Sequence, residues 1–168
     1  MVDTIQPLPF PQMQTLLDGA CPDGNQNYWK STFLRGYSDE ALTMLIEQAN
    51  LGSSPLNTII LEFYGGAVGR VGVSDTAFGQ RKEQYFLIIM AQWTDPADSH
   101  RHIEWARCMA DAMRPFASGG NLLNSLGEES HQTIKSAFGI NYGQLIKVKK
   151  KYDPTNFFRL NQNIKIED

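Results

Sequence analysis

EQYFLIIMAQW, residues 83–93, carries Tyr85, Phe86, Leu87, Ile88 and Ile89 in unbroken succession. Aromatic and β-branched side chains at that density favour a pleated strand over a helix turn. A strand without polar alternation is usually covered on both faces. The apolar part, Phe86 to Ala91, is far short of the ~20 residues a membrane span needs. A central strand at 83–93 is therefore the element around which a sheet is expected.

Two further runs supply strands to pair with it. Tyr28, Trp29 and Phe33 mark one over 27–34, and NTIILEFY marks another over 57–64. Between them Ser38 caps a helix whose first turn holds Asp39 and Glu40, where negative charge suits the helix dipole. Leu42, Leu45, Ile46 and Ala49 follow the i, i+3, i+4, i+7 spacing and are expected to be its core face. Gly52 and Pro55 end it. A long helix is predicted from Pro96 to Pro115, with Ile103, Ala106, Ala110 and Met113 along one side. After the Ser118-Gly119-Gly120 turn the sequence predicts a short strand over 121–126. Helices around 128–138 and 141–151 follow, and a tail over 152–166 reads as a loop that packs. Strands separated by helices, without a βαβ fingerprint, predict an α+β fold with helices on one face of the sheet.

Pro7, Pro9, Pro11 and Pro22 crowd the first 25 residues. Proline fixes φ and withholds a donor, so this part reads as an extended arm with one short helix at Gln12–Leu17. The arm either straps its own domain or lies against something else. The chain is expected to be one domain: arm over 1–25, sheet and helices over 26–138, closing segment over 139–168.

Composition excludes several classes. With 168 residues, 42% apolar, 20% charged and a net charge of −3, the chain resembles an ordinary globular domain able to bury a core. The charge balance gives no case for nucleic acid or an anionic membrane surface. Cys21 and Cys108 share no CxxC or zinc spacing and read as reduced thiols. No charged start runs into an apolar leader segment, so the expected location is the cytoplasm.

Little catalytic chemistry is visible. Gly65, Gly66, Gly69 and Gly72 miss the GxGxxG spacing because Tyr64 stands at its first position, and tight turns explain them better. His100 and His102 lie on different helix faces and His131 is remote, so no metal site is expected. Lys147, Lys149, Lys150 and Lys151 read as a solvated basic helix end.

The tail adds specificity. Residues 149–164, KKKYDPTNFFRLNQNI, resemble the closing motif of the berberine-bridge-enzyme-like FAD-linked oxidases. YWKS at 28–31, SDEA at 38–41, YGGAVGRV at 64–71, TAF at 76–78, WAR at 105–107, SGG at 118–120 and NY at 141–142 are similar to the same family, in the same order. The resemblance implies the C-terminal portion of such an oxidase: part of an antiparallel substrate-domain sheet plus the closing segment, without the FAD-binding domain. Flavin chemistry in the family sits between the two domains. Here Phe86, Ile88 and Leu122 are implied to form the substrate wall. Leu122 stands where many relatives carry a tyrosine two residues after Gly-Gly, Ile88 where a polar residue is common, and Gln80 where a histidine is common. No catalytic residue is assigned. Asn124, Tyr142, Asn161 and Gln162 are the candidates for contact with flavin or its domain, with satisfaction of backbone groups as their ordinary use.

The resemblance implies FAD as the family cofactor, not held by this chain alone, and a separate FAD-binding domain or protein as partner. The alternatives are a stand-alone module that binds a small molecule or a second copy through an exposed sheet face, and an independent enzyme of unseen chemistry.

Overall fold

The computed structural model describes residues 6–82, 84–120, 122–123 and 131–166. The arm contains a short helix, α1 (Phe10–Gln14), two to three residues earlier than the sequence suggests. Pro9 and Pro11 start it instead of breaking it, since a first-turn residue needs no intrahelical N–H bond. The strands are β1 (Gln26–Leu34), β2 (Thr58–Tyr64) and β3 (Gln84–Trp93). α2 (Asp39–Asn50) joins β1 to β2, and α3 (Ser99–Met113) follows β3. α4 (His131–Phe138) and α5 (Tyr142–Tyr152) close the regular structure.

The sheet order is β1-β3-β2, antiparallel throughout. Phe86 lies opposite Phe33 on one side and Glu62 on the other, which sets the register of all three strands. Side chains alternate between faces. Leu87, Ile89, Ala91 and Trp93 therefore point to one face, where Ala41 and Leu45 of α2 and Trp105, Ala106, Met109 and Met113 of α3 cover them. The predicted α+β class, with helices packed on one face, is the observed one.

Phe86, Ile88 and Met90 point to the opposite face and join Phe33 in a second buried cluster. Both faces of β3 are thus covered, as its unbroken apolar sequence demands. The exposed sheet face expected at Phe86 and Ile88 is absent: they are 0% and 8% exposed. Trp29, Ile60, Tyr64 and Leu122 pack over them, because the chain folds its own aromatic side chains onto the apolar surface.

Four local expectations change. In α2 the core stripe is Ala41 and Leu45, with Met44 partly buried, while Leu42 and Ile46 are exposed. The helix is turned so that the indole Nε1 of Trp105 donates to the Gln48 carbonyl at 2.9 Å. In α3 the predicted Ile103 and Ala110 only border the core, and His102, Trp105 and Met109 fill it. Leu122 and Leu123 are not in a strand, and the remainder of the predicted 121–126 strand and the start of the 128–138 helix lie outside the described residues. Lys149 is not a solvated helix end: it pairs with Asp153 and also donates to the Phe158 carbonyl.

Candidate functional site

The second cluster and the loops at its end make the candidate site. Phe33 and Phe86 are neighbours by register, with ring centroids 4.6 Å apart, and Tyr64 meets Phe33 edge-on at 5.3 Å. Burial, followed by the nearby Glu62 charge, raises the Tyr64 pKa, which keeps its phenol protonated. The wall formed by Phe33, Phe86, Ile88, Met90 and Leu122 holds no group that exchanges a proton.

Polar residues bound the wall at both ends of β3. Gln92 Nε2 donates to the carbonyls of Ala20 (2.8 Å) and Leu56 (3.2 Å), tying the end of the arm to the β2 approach. Its backbone N–H donates to Asn57 Oδ1 at 3.1 Å. Gln84 lies at the other end, where Ser118 Oγ donates to its Oε1 at 2.9 Å. Ser118 is placed by its own N–H, which donates to the Phe33 carbonyl at 2.7 Å. Next to this pair opens a cleft of about 470 Å³ lined by Arg35, Gln80, Arg81, Lys82, Gln84 and Gly119, among others.

Two glycines shape that cleft. Gly119 and Gly120 both have φ near +85°, which side-chain-bearing residues rarely adopt. A Cβ at Gly120 would fall 2.2 Å from Gln80 Nε2, so the turn and Gln80 touch only because the side chain is missing. The segment before β3 is held from below: Asn141 Nδ2 donates to the carbonyls of Val73 and Thr76. Arg81 is anchored there, donating to Phe78 O (3.1 Å), Val68 O (3.3 Å) and Thr76 Oγ1 (2.6 Å).

The sequence-predicted residues separate into three places. Phe86, Ile88 and Leu122 do meet in one cluster. Tyr142 is buried elsewhere, its hydroxyl bonded to His131 Nε2 at 2.6 Å between α4 and α5. Asn161 is exposed in the tail with φ 60°, a conformation Asn tolerates better than most residues, and Gln162 beside it is half-buried. Asn124 lies outside the described residues. Gln84, Ser118 and Arg35 were not anticipated. Their signal was present: Gln84 and Gln92 are the polar ends of an apolar run and, at even spacing, share the face of Phe86 and Ile88.

In the glycine-rich turn the Gly72 N–H donates to Asp75 Oδ2 at 3.1 Å. The wall is closed by its own aromatic rings.

The family profile described as "Berberine and berberine like" matches residues 128–165. An FAD-linked oxidoreductase of Dictyostelium discoideum is 27% identical over 98% of this chain, which covers 36% of that protein. Berberine bridge enzyme-like C-1 of Nicotiana tabacum is 30% identical over 86% of this chain and 30% of its own length. This chain is a C-terminal portion of the berberine-bridge-enzyme-like FAD-linked oxidases. The solved structure of BBE-like 1 from Physcomitrella patens superposes with a TM-score of 0.76 at 26% identity, covering 86% of this chain and 31% of that one. The chain spans about a third of the length of the curated relatives it matches. FAD linkage is a property of these relatives. No helix among the described residues is long and apolar enough to cross a membrane.

Proposed function

We propose that this chain is the substrate-side and closing part of an FAD-dependent oxidoreductase that is inactive without an FAD-binding domain. That domain is either further polypeptide or a separate protein. When bound, the flavin supplies the hydride-accepting chemistry. This chain supplies the apolar wall behind the reacting face: Phe86 and Ile88 are its buried backing under Trp29, Ile60 and Tyr64, and the partly buried Leu122 is the member left to face the substrate. Asn161 and Gln162 in the tail are the polar contacts to the flavin side.

The observation that carries this reading is the exposed tail. Phe157, Phe158 and Leu160, within the family-matched segment, are 71%, 74% and 85% exposed. Apolar side chains clustered on a surface in this way mark a place where another surface packs. The Lys149–Asp153 pair fixes the loop that presents them. The outer edge of β2, with no strand partner among the described residues, supports the same reading.

A visible absorption spectrum of the purified chain, recorded after incubation with FAD and desalting, tests it. A colourless protein is expected. Retained flavin would mean that the chain holds cofactor by itself, and the reading as half a site would fail. The same exposed residues also favour a second reading, a stand-alone module that self-associates. Light scattering separates the two: the module should dimerise, whereas half of an oxidase should stay monomeric at dilution.

A further inference from the structure

We infer that the arm of one copy of this chain docks on the tail of a second copy, and that two copies exchange arms to form a closed dimer. The exchange rests on the self-associating reading given above and names the two surfaces that meet. An FAD-binding domain seated on the tail would compete with it.

The arm has a defined shape and buries almost nothing. Every residue from 9 to 19 is exposed, and Phe10, Met13, Leu16 and Leu17 are between 49% and 74% exposed. Its backbone bonds close locally, from the Gln12 N–H donating to the Pro9 carbonyl through to the Cys21 N–H donating to the Asp18 carbonyl. Gln92 Nε2, donating to the Ala20 carbonyl, ties its end to the sheet. Pro7, Pro9 and Pro11 stiffen its beginning. The shape of the arm thus owes little to packing on its own domain. Four large apolar side chains on such an element gain free energy only when another surface covers them.

Charge identifies that surface. Residues 1–29 hold three acidic side chains, Asp3, Asp18 and Asp23, and no lysine or arginine. Residues 142–168 hold six cations against three acids, Asp153, Glu167 and Asp168. Asp153 is taken by Lys149. Lys150, Lys151 and Arg159 are exposed beside the bare rings of Tyr152, Phe157 and Phe158. The tail therefore matches the arm twice, apolar against apolar and cation against acid. An apolar centre with a charged rim is the usual build of a protein interface, and opposite potentials fix which surfaces meet. Both patches are bare within one chain, so the match is made between chains. A two-fold axis repeats the arm–tail contact and closes the assembly at two copies.

Sedimentation equilibrium of the full chain at low and high sodium chloride tests the exchange. A dimer that weakens as salt rises is expected, because the Debye length is only about 10 Å at 0.1 M. Phe10→Ser with Met13→Ser and Leu16→Ser should raise the dissociation constant about tenfold or more. The melting temperature of the monomer should not move, since those side chains are exposed. Lys150→Glu with Lys151→Glu should weaken the dimer likewise, and adding Asp18→Lys with Asp23→Lys to that variant should restore it. A dimer unmoved by the arm substitutions, or not restored by the charge swap, would overturn arm exchange while leaving self-association through another surface in place. A monomer at every concentration would overturn both and leave the reading as half of an oxidase.

Discussion

Asp153 holds the family-matched tail in shape with one carboxylate. Its Oδ1 accepts from the Phe157 N–H at 2.7 Å, its Oδ2 from the Phe158 N–H at 3.1 Å, and Lys149 Nζ completes the set. Lys149 first, then these backbone donors, lower its pKa below the ordinary 3.8. A lowered carboxylate pKa stabilises above the unfolded value and loses that contribution as pH falls through the folded one. The tail should therefore open in acid before the sheet does, visible as early loss of amide protection at Phe157 and Phe158. Asp153→Asn should reproduce that opening at neutral pH and speed chymotryptic cleavage there, and unchanged cleavage would show that the carboxylate is dispensable. His102 behaves oppositely in charge but alike in direction. Buried and stacked on Trp93 at 5.2 Å, with Arg101 beside it, it has a pKa below the usual 6.5. The unfolded chain thus takes up a proton there more readily, so stability should fall as pH drops below about 6.5. Urea midpoints measured across that range should lose this part of their slope in His102→Leu.

At the scale of elements, β3 and α3 carry the core. Met109 is fully buried between them, and Met109→Ala should cost about 2–5 kcal/mol by urea denaturation. Ser38 caps α2 by accepting from the Ala41 N–H at 3.1 Å, so Ser38→Ala should cost about 1 kcal/mol. The cap, the three strands of the sheet and the two-sided burial of β3 were legible because each depends on local chemistry. The facing of α2 was not. Periodicity reveals an apolar stripe, and Leu42-Ile46 and Ala41-Leu45 are adjacent stripes. A contact from a distant helix, Trp105 to Gln48, selected between them. The packing over Phe86 was missed for a similar reason, since Trp29, Ile60, Tyr64 and Leu122 come from four separated positions. The cleft at Gln84 has the same origin, a meeting of two loops that no single stretch of sequence announces.

For the whole molecule, two apolar surfaces stand bare at opposite ends of the sequence: Phe10, Met13 and Leu16 in the arm, and Phe157, Phe158 and Leu160 in the tail. Replacing Phe157 and Phe158 by Ser should raise solubility and leave the thermal midpoint almost unmoved, since neither ring is buried. A large loss of stability would mean that the tail braces the domain instead of waiting for a partner. Family membership was legible because the tail motif is contiguous, whereas the bond between the Tyr142 hydroxyl and His131 joins two helices that no single stretch of sequence pairs. The strand order carries a consequence of another kind. β3 lies between β1 and β2 in space but follows both along the chain. During synthesis the two outer strands leave the ribosome with no sheet partner and must wait for the middle one. Refolding is then limited by closure of long loops onto β3, and should be slow for a domain of this size. Nascent chains halted before residue 84 should be the ones that chaperones retain.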